Sequence, residues 1–90
     1  MNLIIYQNEA YLLEDRIKKD FKKEYKNLII TTSLHIENSL LIGINISIYD
    51  SELKRREERY IENKIFTRIV EYINYIKIVI FELVIKLRKK

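Results

Sequence analysis

No cysteine and no proline occur among the 90 residues of this chain, and it holds one glycine. Without cysteine there is no disulfide framework and no thiolate metal site, a usage that fits a reducing compartment. The lone histidine, His35, makes a transition-metal centre hard to assemble, because carboxylates from separate segments would have to complete it. A single glycine, Gly43, leaves no glycine-rich loop to cradle a phosphate. No cofactor and no metal are therefore expected. The chain also lacks most of the punctuation that marks where elements end.

Long apolar runs are missing too. Glu71, Lys77, Glu82 and Lys86 break up the C-terminal segment well short of the roughly 20 apolar residues that a membrane span needs. No integral membrane span is expected. An interfacial helix is the weaker rival: its basic end would suit anionic headgroups, but Glu82 sits inside it and apolar residues surround most of it. No secretory pattern opens the chain, so a cytoplasmic location is expected.

What the chain does have is isoleucine, 18 residues of it. It also has 17 Lys and Arg against 13 Asp and Glu, for a net charge of +4. This length gives a single domain, 1–90, which on its own hides only about 60–65% of its unfolded surface. With no disulfide or metal to help, the remaining supports are a very apolar core and oligomerisation. The surplus of Ile, Lys, Asn and Tyr, with dense Lys and Glu, resembles the short proteins of archaeal viruses or plasmids from hot environments. That likeness is one of composition and carries no motif.

Periodicity then supplies the elements. Residues 2–6 read as a short strand buried on both faces. Residues 9–26 read as a helix, with Asn8 as its cap and Ala10, Leu13, Ile17, Phe21 and Tyr25 on one stripe. Residues 28–49 alternate with period two and read as a hairpin. Leu28, Ile30, Thr32, Leu34 and Ile36 share one face; Leu40, Ile42, Ile44, Ile46 and Ile48 share one face of the second strand. A three-residue loop, Glu37-Asn38-Ser39, puts both rows on the same side, whereas a two-residue turn would misalign them. Asp50-Ser51 then signals a helix start, and 51–88 read as one long helix. Unbroken, it would run about 57 Å at 1.5 Å per residue, so it must break, near Asn63 or Asn74, or project. The fold class expected is α+β in the order β-α-β-β-α. That gives a three-stranded mixed sheet with two helices on one face, the second of them long.

Two surfaces follow. On the last helix Phe66, Ile69, Ile73, Ile76, Ile80, Leu83 and Leu87 follow 4–3 spacing and form the expected homodimer interface. Lys54, Arg55, Arg56, Arg59, Lys64 and Arg68 form a basic helix stripe that would follow the phosphates of DNA or RNA. The interleaved Glu52, Glu57, Glu58 and Glu62 make a self-neutralised surface the competing reading. The hairpin from Asn27 to Tyr49 has no Lys or Arg, which fits either a second contact surface or simply a quiet one. Paired carboxylates, Glu14–Asp15 and Glu58–Glu62, are the only candidates for a metal-dependent nuclease, and they fall on exposed faces. The expected function is thus a non-catalytic small binding protein acting as a homodimer on nucleic acid. One alternative is a virus- or plasmid-type protein that binds and blocks a host protein. The other is a structural or interfacial protein associating through its apolar C-terminal helix.

Overall fold

The computed structural model describes residues 3–25 and 27–89. It is an α+β fold of α1 (Gln7–Glu24), β1 (Leu28–Glu37), β2 (Leu40–Asp50), β3 (Arg55–Glu62), a 3₁₀ turn (Asn63–Ile65) and α2 (Ile69–Arg88). The sheet is antiparallel throughout, in the order β1-β2-β3. The order along the chain is thus α-β-β-β-α rather than β-α-β-β-α, and no parallel pair forms.

The expected first strand is replaced by an extended lead-in to α1. Among the described residues a single bridge joins it, through Tyr6, to Leu40, and Leu41 N–H donates to Ile5 C=O. Ile5 is buried, but Ile4 and Tyr6 are exposed, so the segment is apolar without being enclosed. Asn2 lies outside the described residues. The helix begins at Gln7 with no side-chain cap from Asn8. Its stripe Ala10, Leu13, Ile17 and Phe21 is buried as the spacing predicts. Lys26, the expected helix end, lies outside the described residues.

The hairpin reaches its alignment by a different device from the one expected. The turn has two residues, Asn38 (φ 52°) and Ser39 (φ 64°), both left-handed as a tight hairpin turn of right-handed strands requires. Ile36 faces Leu41, and the next partners are His35 and Gly43, so Ile42 has no opposite number. This bulge restores the pairing of Leu34 with Ile44, Thr32 with Ile46 and Ile30 with Ile48. It also reverses the parity near the turn: Leu41 is buried, while Leu40 and Ile42 are only partly so.

The largest correction concerns 51–68, which is not helix. Asp50 does act as a capping residue: its carboxylate accepts from the N–H groups of Glu52 and Leu53 at 2.9 and 3.2 Å. The turn it stabilises closes through Lys54 in the left-handed region (φ 54°), and the chain reverses into β3. A helix over 55–62 would stack Arg55 on Arg59 and Glu58 on Glu62, like charges one turn apart. As a strand the segment pairs with β2 from Asp50–Arg55 to Gly43–Glu62, and the like charges separate: Arg59 pairs with Glu82, Glu62 with Lys64, and Glu58 with the Asn45 amide.

The expected break of a 51–88 helix near Asn63 does not arise, because β3 ends at Glu62 and α2 begins only at Ile69; the chain changes direction there through the 3₁₀ turn. Asn63 is buried, and its amide donates to the carbonyls of Leu3 and Leu41, tying the lead-in to β2. α2 then runs back along the sheet for 20 residues, about 30 Å. It lies against β3 and β2, while α1 lies against β1 and β2. Between them Ile44, Ile46 and Ile48 are wholly enclosed.

Candidate functional site

Strand alternation divides the six cations expected to form one stripe. Arg55 and Arg59 point to the α2 side. The Arg59 guanidinium donates to Glu82 at 3.0 Å, Glu57 holds Lys86 at 3.6 Å, and Arg55 donates to the Leu87 carbonyl at 3.3 Å. Two residues of strand advance about 6.6 Å and four residues of helix about 6 Å, so Glu57–Lys86 and Arg59–Glu82 repeat in step along antiparallel elements. Two of the six stripe cations, Arg55 and Arg59, are therefore part of a clamp on α2.

Arg56 lies on the other side of the sheet. Its guanidinium sits 5.5 Å from the centre of the Tyr49 ring and donates to Ser47 Oγ at 3.3 Å. Lys64 pairs with Glu62 at 3.1 Å. Lys54 occupies the left-handed turn position, and Arg68 is the exposed residue just before α2. The six residues thus occupy a turn, two sides of a strand and the approach to a helix. There is no basic helix stripe.

The open side of the sheet carries the histidine. Tyr60 crosses over Gly43, where an added Cβ would collide with its phenol. The Tyr60 hydroxyl meets His35 Nδ1 at 2.9 Å, and His35 Nε2 meets Glu37 at 3.2 Å. Desolvation, followed by the charges of Glu62 and Glu37, pushes the Tyr60 phenol above its ordinary pKa, with Lys64 opposing. The phenol is placed to donate to His35 Nδ1. Donation to Nδ1 leaves Nε2–H to donate to Glu37, which satisfies both ring nitrogens. Beside this row β1 and β2 present the uncharged Ile29, Thr31, Ser33, Asn45 and Tyr49, while β3 adds Arg56, Glu58 and Glu62.

The carboxylate pairs do not form a metal centre. Glu14 accepts from the Thr32 hydroxyl at 2.6 Å, and Glu58 accepts weakly from Asn45 at 3.4 Å. Among the described residues no group of three or more Asp, Glu or His is placed to hold a metal ion. Among the same residues no helix is long and apolar enough to cross a membrane.

The row assigned to a partner lies largely inside the chain. Phe66, Ile76, Ile80, Leu83 and Leu87 are buried in its own core, and Ile73 packs against that core; only Ile69, at 38%, is exposed. The 4–3 spacing marks a buried helix face, and this chain buries it on its own sheet. Tyr72 joins that face, with its ring edge-on to Phe66 and its hydroxyl donating to the Ile61 carbonyl at 3.0 Å. The opposite side of α2 carries Val70, Ile78, Phe81 and Ile85, which are 56%, 54%, 57% and 41% exposed. Sequence reasoning passed over these residues. The signal was a second 4–3 row, 71-74-78-81-85-88, on the far side of the same segment.

Compared with protein-family models, with curated proteins and with solved structures, the chain matches none.

Proposed function

We propose that this chain is a non-catalytic binding protein that works as a homodimer, joined through the outward side of α2. The observation that carries the reading is that row of exposed apolar side chains, Val70, Ile78, Phe81 and Ile85, above a core already filled from the other side. The charged residues beside the row are tied back to their own chain, Lys77 to Asp20 at 3.9 Å and Glu82 to Arg59 at 3.0 Å. That leaves the middle of the face apolar and open to solvent. A contiguous apolar face is the usual mark of an association surface.

The rest of the surface favours a protein as the dimer's target over nucleic acid. Phosphate tracking needs a contiguous row of free cations, and here Arg59 and Lys64 are paired with carboxylates while Arg56 lies over Tyr49. The open sheet side offers Ile29, Thr31, Ser33, Asn45 and Tyr49, which suit contact with another protein.

Light scattering across a concentration series, at about 50 and about 200 mM salt, tests the reading. The expected result is a dimer at both salts that becomes a folded monomer on Phe81→Lys. A chain that stays monomeric at every concentration overturns it. So does tight binding of labelled DNA or RNA that collapses between those salts and ignores Phe81→Lys.

A further inference from the structure

We infer that the two copies pair their α2 helices antiparallel about a two-fold axis, in a single register fixed by Glu71 and Arg88. The inference rests on the homodimer reading above and adds the orientation, the contacts and the residues that select them.

The exposed row 71-74-78-81-85-88 has alternating spacings of three and four, the pattern of positions that meet between paired helices. Its middle is Ile78, Phe81 and Ile85, and its ends are Glu71 and Arg88, of opposite charge. Antiparallel pairs match the two kinds of core position against each other. One register does this for the whole row: Ile78 against Phe81 of the second copy, Asn74 against Ile85, and Glu71 against Arg88. Each contact occurs twice by symmetry. The two innermost layers are then wholly apolar, and an ion pair closes each end. No ion pair engages Arg88 among the described residues, and Glu71 has only a 3.5 Å contact from the Thr67 hydroxyl.

The other arrangements fail on the same residues. A parallel pair in register sets Glu71 against Glu71 and Arg88 against Arg88, repulsive at both ends. Sliding the antiparallel pair by one heptad either sets Glu71 against Phe81 and leaves Ile85 uncovered, or sets Arg88 against Ile78 and leaves Glu71 and Asn74 uncovered, and both slides lose the two end ion pairs. Asn74 against Ile85 is the least favourable layer of the chosen register, and one polar residue in such a seam commonly fixes register at some cost in stability.

Pairing of this kind puts the helices in the middle and the sheets outside. The dimer would be a four-layer sandwich that presents two identical open sheet sides, each with its Tyr60–His35 row, on opposite ends. A protein partner that fits that side would be bound twice.

The absence of native cysteine makes cross-linking a direct test. One chain carries Asn74→Cys and the other Ile85→Cys, and the two are mixed and oxidised under mild conditions. The inferred pairing places these positions face to face, while each lies about 16 Å along the axis from its own copy. A mixed disulfide that outweighs either self-linked species is expected. A self-linked Asn74→Cys dimer would overturn the antiparallel arrangement and leave the homodimer standing. Light scattering that finds only monomer for the wild-type chain would overturn both. Arg88→Glu alone should weaken the dimer about tenfold, and Glu71→Arg with Arg88→Glu should restore it. A double variant as weak as the single one would remove the assigned ion pair.

Discussion

Ile80 and Ile78 stand two residues apart on α2, identical in chemistry, and they meet opposite surroundings. Ile80 is fully enclosed, in company with Tyr72, Ile76, Val79, Leu83 and Leu87. Ile78 is 54% exposed, in company with Val70, Phe81 and Ile85. The contrast shows that the apolar excess of this segment lies on two sides, of which the chain itself covers one. One side of α2 completes the fold, and a helix that is apolar all round has more to hide than a three-stranded sheet can cover.

The sharpest way to break the comparison is to shorten the inner side. Ile80→Ala should cost about 2–5 kcal/mol, because it removes buried methyl groups and leaves a cavity between α2 and the sheet. Chemical denaturation should then show a lower midpoint with an unchanged slope. A loss below about 0.5 kcal/mol would mean that the two sides are not distinct.

Tyr72→Phe comes next. The substitution keeps the ring against Phe66 and deletes the donor to the Ile61 carbonyl, leaving a buried acceptor unpaired at a cost of about 1–3 kcal/mol. It also carries a pH signature. Burial pushes the Tyr72 phenol above its ordinary value, with Tyr60 adding to the effect. The folded state therefore holds this proton more tightly than the unfolded chain does. The contribution is complete below the ordinary tyrosine value of about 10 and is lost as pH rises beyond it. Denaturation curves on both sides of that value should show the wild-type chain losing stability faster than the variant. Parallel curves would assign the tyrosine no linked proton.

Arg59→Ala tests the clamp that the charged strand makes on α2. Its partner Glu82 is about half exposed, so the loss should be at most about 1 kcal/mol and smaller in high salt. A loss of several kcal/mol would instead make the ladder, rather than the apolar side, the main hold on the helix.

These differences bear on what could be read from the residues beforehand. The α1 stripe was legible because Ala10, Leu13, Ile17 and Phe21 repeat at helical spacing and all find the core. The hairpin rows were legible, but their turn was not: a bulge at Ile42 does the aligning, and nothing in the local pattern marks an extra residue. β3 was hidden for a stronger reason. Arg55 to Tyr60 has no apolar alternation of its own, and its strand form follows from the need of β2 for a second partner. Asp50-Ser51 was read as a helix start, and that reading fails: the Asp50 carboxylate does accept from backbone N–H groups, but they belong to a reversal rather than a helix. The basic residues do not share one helix face, since 55–62 is strand and alternation sends neighbouring arginines to opposite sides. The buried row of α2 was visible as spacing, but spacing does not say whose surface covers it.

The smallest effect on folding is expected on the outer side, and there it is the most informative. Ile78→Ser removes an apolar side chain from water-facing surface, so at high dilution the stability of the single chain should change by no more than about 0.5 kcal/mol. Stability measured at rising concentration separates the two copies from the one. A wild-type chain that dimerises in its folded state gains stability with concentration by mass action, and a variant with a weakened seam does not. The two denaturation curves should coincide when dilute and part when concentrated. If they part by the same amount at every concentration, Ile78 belongs to the fold and not to a seam, and the distinction between the two sides of α2 is lost.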